Sequence, residues 1–531
     1  MAIRMSDIRV PLDFSEKALA SRFLTIISVP MHELTRFSIV RRGFDARGKG
    51  GVRRVYAVEC ELASEALEAR VCAAVPAARR FEPEPDPFPA RSVPPPAVRP
   101  VVVGAGPAGL FAALTLARFG ARPLLLERGR AVGQRSRDVS AFWSSGALDP
   151  ESNVQFGEGG AGTFSDGKLT TRIGDPLVGH VLDTFEDMAG LPGLSIDAKP
   201  HVGTDRLLRF CGKMRAELSE LGAEIRFGAR VDDLLADGGR VRAVRLASGE
   251  EIPCEALVLA VGHSARDTLR MLHGHGIAMA AKPFAVGFRV EHKQPLIDRI
   301  QYGDSAGHPA LPPADYRLAA TAPSGRSVYS FCMCPGGRVI AASSEAGGLP
   351  INGMSANRRD SGFANSGIVA SVGPEDFGVD GGALAGLAFQ ERIEQAAFRA
   401  GGGGYGIPAA NLMAFIHGRD IPLTRTGAQA ASVVPSDLRG ILPAPIEDDL
   451  RAGLRKFGQS VRGFATEGAT LYAVESRTSA PVRFARENYE SITIKGLYPV
   501  GEGAGHAGGI VSSAVDGIRA ALRILETLSN K

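Results

Sequence analysis

The spacing of apolar and polar residues predicts a small α+β unit at the start of the chain. Strand-like alternation and helical spacing follow one another in the order β-α-β-β-α, with Ser15 placed to cap the first helix. This order predicts a ferredoxin-like α+β domain over residues 1–74. The predicted elements occupy residues 8–12, 15–27, 34–42, 52–62 and 64–75.

A proline-rich stretch follows this unit. Nine prolines lie between residues 75 and 100, and proline removes backbone donors and favours extended conformation. We therefore assign residues 75–98 to a semi-rigid linker, without a central strand or a helix.

Beyond the linker the pattern predicts an α/β fold. The apolar run at residues 101–103, the helical run at 108–118 and the apolar run at 123–126 form one β-α-β unit. Periodicity blurs after residue 271 and returns as a helix at 514–528. We expect a discontinuous Rossmann-like domain, with an inserted mixed α+β substrate domain between its two parts. The predicted boundaries are 99–270 for the first part, 271–477 for the insertion and 478–531 for the second part.

Composition excludes several protein classes. The formal net charge of +4 disfavours a protein that binds polyanions over its whole surface, and 44% hydrophobic residues are typical of a folded chain. Glycine is enriched, at 65 of 531 residues, which indicates many tight loops where backbone approaches a partner closely. Six cysteines without CxxC spacing predict neither a disulfide framework nor a metal site. We find no secretory signal and no run of 18 apolar residues, and expect a cytoplasmic protein without a membrane partner.

A dinucleotide fingerprint opens the Rossmann-like part. Gly104, Gly106 and Gly109 follow an apolar strand and begin a helix, in the spacing that lets a pyrophosphate lie on the helix N-terminus. Glu127 ends the next strand, where a carboxylate binds ribose hydroxyls.

A second glycine loop near the other end of the chain indicates that the dinucleotide is FAD. The segment LYPVGEGAGHAGGI, residues 497–510, again reads as strand, glycine loop and helix. An NAD-dependent dehydrogenase has no need of a second such loop, whereas this helix N-terminus would stabilise negative charge on a reduced flavin.

The chain resembles the poorly characterised bacterial FAD-dependent dehydrogenases of the glutathione-reductase-like flavoprotein superfamily. The resemblance covers almost the whole chain. It rests on the segments VVVGAGPAGLFAALTLARFGARPLLLERG, NVQFGEGGAGTFSDGKLTTR, LVLAVGHSARD, FCMCPGGRVIAASSE, VESRTSAPVRF and LYPVGEGAGHAGGIVSSAVDGIRAA. It implies a discontinuous FAD domain with an inserted substrate domain, and it implies no particular substrate.

The resemblance also implies roles for individual residues. Val231 would hold adenine through its main chain, and Gly262 would lie where the chain passes the cofactor again. Glu502 occupies the position that would contact the ribityl chain, although the superfamily more often has Asp there. The remaining residues implied to bind FAD are Gly104, Gly106, Gly109, Glu127, Gly501, Gly508, Gly509 and Ile510.

The loop at residues 156–168 resembles the segment that runs beside the flavin ring in this superfamily. Gly160 and Gly162 would allow close backbone approach, and Thr163 or Ser165 would hydrogen-bond the ring. Lys168 would hold an anionic substrate or stabilise reduced flavin. The alternative is that Glu158 and Lys168 are merely paired surface charges.

Two further groups are candidates for chemistry. His506 follows the second glycine loop and is the best single candidate for a general acid, although a histidine at a helix start is often structural. Arg477 and Arg483 flank a Thr-Ser pair and would clamp a carboxylate or phosphate, or else brace loops. We read His263 as part of the structure of the cofactor loop.

Cys332 and Cys334 lie two residues apart on a strand-like run, which would place both side chains on one face. A redox dithiol is one interpretation, but a CxC ring is small and strained. We expect the pair to shape the substrate wall without carrying electrons.

Three functions remain open at this point. The favoured one is an FAD-dependent oxidoreductase that transfers hydride through flavin N5 to or from a small organic substrate. Since no second GxGxxG follows a strand, NAD(P)H would bind only transiently as an electron donor. The second is an RNA-modifying flavoprotein that uses basic residues of the N-terminal unit, namely Arg41, Arg42, Arg47, Lys49, Arg53 and Arg54. The third is a non-catalytic module stabilised by FAD. No metal-site spacing is present, and the oligomeric state is not predicted.

Overall fold

The computed structural model describes residues 2–47, 51–82, 88, 92–423 and 426–529. In the N-terminal unit, four antiparallel strands form a sheet in the order β2-β3-β1-β4, with two helices in the connections. The bounds are β1 Ala2–Val10, α1 Leu19–Ile27, β2 Leu34–Asp45, β3 Arg53–Leu62, α2 Glu65–Ala74 and β4 Ala78–Phe81.

Two sequence predictions for this unit are wrong in detail. The stretch assigned to the linker contains strand β4, which pairs with β1 at the sheet edge, where only one side needs hydrogen bonds. Ser15 makes no side-chain cap, because a 3₁₀ turn at Glu16–Ala18 precedes helix α1. Ser64 does cap α2, since its hydroxyl accepts from the amide of Leu67.

The N-terminal unit has its own core but is joined to the rest of the chain. Its buried apolar residues form a separate cluster that includes Ile3, Phe23 and Val58. Arg42 forms an ion pair of 2.6 Å with Asp197, and the two chain segments also exchange backbone hydrogen bonds. The basic hairpin is therefore partly neutralised within the protein. Lys49 lies outside the described residues.

The second region contains five parallel strands in the order β25-β11-β5-β6-β7, with a three-stranded antiparallel sheet, β8-β9-β10, in one connection. The three central strands β11, β5 and β6 are buried along their length, because helices cover one face of the sheet and the three-stranded antiparallel sheet packs on the other. This α/β arrangement agrees with the predicted Rossmann-like domain, whose strand β25 and last helix come from the end of the chain. Its elements are β5 Val101–Val103, α3 Pro107–Arg118, β6 Leu124–Glu127, α4 Val132–Ser145, α5 Leu177–Ala189, α6 Thr204–Glu220, β7 Glu224–Phe227, β8 Val231–Asp237, β9 Arg240–Leu246, β10 Glu251–Pro253, β11 Leu257–Leu259, α7 Arg266–Gly274, β22 Val482–Phe484, β23 Arg486–Glu487, β24 Glu490–Ser491, β25 Leu497–Pro499 and α13 Ile510–Ser529.

Helices α3 and α13 lie side by side at the centre of this region. Ten of the twelve residues of α3 are buried. A Cβ on Gly517 of α13 would lie 2.0 Å from the carbonyl oxygen of Ala108, so only glycine allows this approach. The packing brings the N-termini of two helices, about 400 residues apart in sequence, to one edge of the sheet.

The third region is built on a seven-stranded sheet in the order β14-β15-β18-β13-β21-β19-β20. Its largest apolar cluster packs between this sheet and helices α10 and α12. The elements are β12 Met279–Ala281, β13 Phe284–Lys293, α8 Gln294–Tyr302, β14 Ala319–Thr321, β15 Ser327–Cys334, β16 Arg338–Ala341, β17 Ile351–Met354, β18 Phe363–Val372, α9 Pro374–Phe377, α10 Ala385–Ala400, β19 Ile407–Asn411, α11 Leu412–His417, β20 Val433–Pro435, α12 Ala444–Ser460 and β21 Thr470–Glu475.

Within the described residues, we find no helix that is both long and apolar enough to span a membrane.

Candidate cofactor and substrate site

One cavity of about 370 Å³ lies at the carboxyl edge of the parallel sheet. Its lining comes from both parts of the Rossmann-like region and from the third region. The N-termini of α3 and α13 lie along it. Crevices at this edge of α/β sheets are the usual place for ligands. The predicted site residues on its wall are Gly104, Gly106, Glu127, Gly160, Gly162, Lys168, Val231, Gly262, Arg477, Gly501, Glu502, Gly508, Gly509 and Ile510.

The first glycine loop has the geometry that its sequence predicts. Gly104 has a φ of 102°, and a Cβ there would lie 2.4 Å from the carbonyl oxygen of Ala260. Gly109 does not line the cavity, because it packs against the carbonyl of Gly104, where a Cβ would lie at 1.9 Å. Gly106, the N-cap of α3, lies next to the backbone of Gly160, and both residues line the cavity.

The side chain of Glu127 stabilises this loop through backbone hydrogen bonds. Its buried carboxylate accepts hydrogen bonds from the amides of Ala105 at 2.7 Å, Gly129 at 2.8 Å and Gly157 at 2.9 Å. A carboxylate offers about four lone-pair positions, so one remains for a ligand hydroxyl.

The loop at the start of α13 approaches the cavity from the other end of the chain. Gly501 donates its amide to Asp516 at 2.7 Å, and Arg486 pairs with the same carboxylate. Glu502 faces the cavity, and burial raises the pKa of its carboxyl to about 7. The loop therefore presents a readily protonated acid to the cavity.

Only some residues of the segment predicted to run beside the flavin ring line the cavity. Gly160 and Gly162 begin a short 3₁₀ helix on the cavity wall. The Thr163 hydroxyl instead turns inward and donates to the carbonyl of Glu158 at 3.2 Å. Ser165 lines the cavity, but its hydroxyl donates to the carbonyl of Gly162.

The interpretation of Glu158 and Lys168 as paired surface charges is wrong. The Glu158 carboxylate is buried and accepts from the amide of Val132 at 2.7 Å. Lys168 lies on the cavity wall, and its ammonium forms a 2.7 Å ion pair with Asp166.

Asp166 is the centre of a charged cluster that sequence reasoning missed. It also pairs with Arg359 at 2.7 Å and accepts from Ser355 at 2.7 Å. Although burial opposes ionisation, Lys168 and Arg359 hold the pKa of this carboxyl below its ordinary range. Burial and the Arg359 charge lower the pKa of the neighbouring His201 to about 4, so this imidazole is neutral near pH 7.

Cys332 and Cys334 do not face the same way, which corrects the expectation for a regular strand. The register of β15 on β18 shifts between Phe331 and Cys334, and Cys332 has a φ of 44°. The Cys332 residue lines the cavity, whereas Cys334 is fully buried and donates its thiol to the Cys332 carbonyl at 3.2 Å. Both cysteines are free.

Arg477 reaches the cavity wall but is already bound. Two of its nitrogens contact the Glu394 carboxylate at 2.9 Å, and a third donates to Ser264 and Ser344. Arg266 pairs with the same carboxylate. Arg477 thus braces the junction between α7 and α10, and the expectation that it clamps a substrate anion is not supported.

The other two chemical candidates lie outside the cavity lining. Arg483 is exposed, on strand β22. The His506 ring lies 2.9 Å from the Phe484 carbonyl through Nε2 and 3.5 Å from Arg483 through Nδ1. This places His506 in a structural contact rather than at the reacting side. His263 does line the cavity, beside Ser264, and burial lowers its pKa to about 3.

Among the residues that the structure describes, no group of three or more His, Cys, Asp and Glu side chains is arranged to hold a metal ion.

Comparison with known proteins identifies the family. A protein of Clostridium beijerinckii, described only as uncharacterized, is 42% identical over 538 aligned positions, which cover 99% of both chains. Four family profiles match: FAD-dependent protein, C-terminal domain-like, at 283–478; FAD dependent oxidoreductase at 200–326; NAD(P)-binding Rossmann-like domain at 102–157; and a domain of unknown function at 2–61. The chain belongs to the FAD-dependent oxidoreductase family.

More distant relatives of this FAD-dependent oxidoreductase match only in part. FixC of Escherichia coli K12 is 29% identical over 40% of this chain and 47% of its own length. Aklavinone 12-hydroxylase DnrF of Streptomyces peucetius is 30% identical over 34% of this chain and 39% of its own. The enzyme thus spans less than half the length of these two relatives.

One solved structure with a similar chain path is a geranylgeranyl bacteriochlorophyll reductase-like protein from Thermoplasma acidophilum. It is 14% identical, with a TM-score of 0.37, and the match covers 81% of this chain and 79% of that one.

The residues on the cavity wall fit FAD. Glycines of both glycine loops line the cavity, and a Cβ at Gly160 on the same wall would lie 2.9 Å from the backbone of Gly106. Two helix N-termini suit the negatively charged groups of the cofactor.

Proposed function

We propose that this enzyme exchanges hydride between FAD and a small organic substrate that binds beside Lys168. The observation that carries the proposal is the set of residues that line the cavity. Glycine loops from both ends of the Rossmann-like region line one part of it, and Lys168, Cys332 and Asn352 line another.

We assign the residues that would hold FAD from this lining. The N-terminus of α3 at Gly106 would receive the pyrophosphate, and the free lone pair of Glu127 would accept from a ribose hydroxyl. The backbone near Val231 and Gly262 would enclose the adenosine part. Glu502 and the α13 N-terminus, from Gly508 to Ile510, would lie beside the ribityl chain and the ring.

Bound FAD supplies hydride exchange at its N5 atom. The chain itself supplies position and charge. The Lys168 ammonium has three N–H donors, and its contacts with Asp166 at 2.7 Å and with the Cys334 sulfur at 3.9 Å leave one donor for a substrate carbonyl or carboxylate oxygen. Asp166 is 1% exposed, and this buried carboxylate holds the ammonium in place from the protein side of the cavity wall.

Three finer assignments belong to the same proposal. NAD(P)H would act as a transient electron donor. The sheet order β2-β3-β1-β4 supports a ferredoxin-like N-terminal domain, and the two glycine loops support placement in the glutathione-reductase-like superfamily. Recognition of RNA is not favoured, because Arg42 at the centre of the basic hairpin is bound to Asp197.

Anaerobic bleaching of the flavin tests the proposal. We expect a fraction of a metabolite extract, or NADPH or NADH, to bleach the wild-type flavin absorbance. Replacing Lys168→Met should slow bleaching by the active substrate at least tenfold, with unchanged flavin content. Lys213→Met, which removes the same charge from an exposed position on α6, should leave the rate unchanged.

A substrate that bleaches Lys168→Met as fast as wild type would contradict the placement beside Lys168. Flavin that no extract fraction and no pyridine nucleotide reduces would contradict the hydride transfer itself.

A further inference from the structure

Asn352, on strand β17, lines the cavity with a side chain whose orientation is fixed. Its side-chain oxygen accepts from the amide of Gly353 at 2.8 Å and from the Arg289 guanidinium at 3.4 Å. Both neighbours are donors, so the oxygen must face them and the amide nitrogen lies on the other side. This nitrogen has no hydrogen-bond partner among the residues that the structure describes. Its two N–H groups are therefore available to a ligand.

Asn352 and Lys168 lie on the same wall of the cavity. The Lys168 ammonium is 3.9 Å from the Cys334 sulfur, and the guanidinium of Arg289, which contacts Asn352, is 4.0 Å from the same sulfur. Three residues after Asn352, Ser355 donates its hydroxyl to the carboxylate that pairs with Lys168. Both available donor groups are thus held by the same set of buried contacts.

The charges on this wall do not balance. Lys168 and Arg359 share the single carboxylate of Asp166. The neighbouring ion pair of Arg289 with Glu475 is neutral. One positive charge therefore remains in a largely buried cluster, and an anionic ligand would neutralise it.

We propose that the substrate is a carboxylate whose oxygens accept hydrogen bonds from Lys168 and Asn352 together. The ammonium supplies the charge, and the amide supplies a second donor that fixes the orientation of the carboxylate. Phe331 also lines the cavity and offers an apolar face to the rest of the molecule. This inference rests on the proposed function, and it assigns Asn352 as a residue that determines substrate specificity.

Binding without turnover tests this assignment. The probes are planar monocarboxylates from crotonate to trans-cinnamate, each compared with its primary amide, which has the same shape without the charge. Each probe is titrated into the FAD-loaded enzyme at pH 6, and isothermal titration calorimetry gives the dissociation constant. At this pH a carboxylic acid with a pKa of about 4.3 is ionised. Glu502, which also lines the cavity, is mostly protonated at this pH, because burial raises its pKa to about 7.

We expect at least one acid of the series to bind wild type at least tenfold more tightly than its amide. Asn352→Asp keeps the oxygen that Gly353 and Arg289 hold, but replaces the amide nitrogen with a second carboxylate oxygen. It should weaken binding of the acid at least tenfold and binding of the amide less than threefold, with unchanged flavin content. Lys168→Met should also weaken binding of the acid at least tenfold. Asn488→Asp, which adds the same charge at an exposed residue outside the cavity lining, is the matched control and should leave both affinities unchanged.

Equal affinities of acid and amide in wild type, or no binding by any acid of the series, overturn the carboxylate assignment. An acid that binds Asn352→Asp as tightly as wild type overturns the role of Asn352. These results are distinct from failure of the proposed function. Flavin bleaching by a neutral compound, without carboxylate binding, would leave hydride exchange in place and remove only the carboxylate. Carboxylate binding without bleaching by any compound would contradict hydride exchange and support the anion site.

Discussion

The contact between the Rossmann-like region and the third region, which contains the seven-stranded sheet, depends on one buried carboxylate. Glu394 on α10 is paired with Arg266 of α7 and with Arg477, which follows β21. The three side chains are 1%, 1% and 6% exposed. We consider the substitution Glu394→Gln, which keeps the shape of the side chain and one acceptor oxygen but removes its charge.

The expected cost follows from the partners that remain. Arg266 keeps a second carboxylate, Glu345, at 2.6 Å, whereas Arg477 keeps only neutral partners, the hydroxyls of Ser264 and Ser344. One guanidinium is left buried without a counter-ion, and breaking a buried pair in this way costs about 3 kcal/mol or more. At 2–4 °C per kcal/mol for domains of 150–250 residues, the melting midpoint should fall by about 6–12 °C.

Differential scanning calorimetry of the flavin-loaded enzyme measures this shift. Glu391→Gln is the matched control, because Glu391 lies on the same helix but pairs with the half-exposed Arg270, and surface pairs contribute at most about 1 kcal/mol. If Glu394→Gln melts within 2 °C of Glu391→Gln, the charge of Glu394 does not hold Arg477 in place. Arg477 is then again a candidate to bind a substrate anion.

Three further predictions concern other parts of the enzyme. Glu127→Gln should lose one charge-assisted hydrogen bond to the glycine loop, which costs about 1.5–3 kcal/mol. We expect FAD retention on dilution, measured by flavin fluorescence, to weaken at least tenfold. Full retention would contradict the role of this carboxylate. For Glu502, the unfolded pKa is about 4.3 and the folded pKa about 7, so its contribution to stability falls as pH rises from 4.3 to 7. Glu502→Gln should therefore gain stability relative to wild type in thermal melts at pH 7.5 but not at pH 4.5, and equal differences at both pH values would refute the shift. Deleting residues 1–90 should leave a folded, flavin-loaded remainder, because the N-terminal core is a separate cluster, and an unfolded product in circular dichroism would show that the Arg42 contacts are essential.

Local patterns in the sequence account for the parts of the site made by backbone. The spacing of Gly104, Gly106 and Gly109 predicts both the loop and the close helix packing, since each role depends on the absence of a side chain. The segment from Gly508 to Ile510 likewise begins a helix at the cavity, as its pattern predicts.

The side-chain chemistry was harder to predict because its partners are distant in sequence. Asp166 and Arg359 are 193 residues apart, and Glu394 and Arg477 are 83 apart. No periodicity links such pairs, so Arg477 suggested a free clamp and His506 a free acid. The bend at Cys332 arises from Arg289, a residue on another strand, and a regular strand pattern gives no sign of it.

We expect the glycine-lined cavity to hold FAD. Gly106 lies at the N-terminus of α3, and a Cβ there would lie 3.8 Å from Gly160, so a leucine side chain would fill the space for the pyrophosphate. Gly179, an exposed glycine of α5 with open space around its Cβ position, is the matched control. Flavin released by denaturation is identified and counted by chromatography. We predict one FAD per chain for wild type and Gly179→Leu and almost none for a folded Gly106→Leu; release of FMN, or full FAD occupancy in Gly106→Leu, would contradict the account.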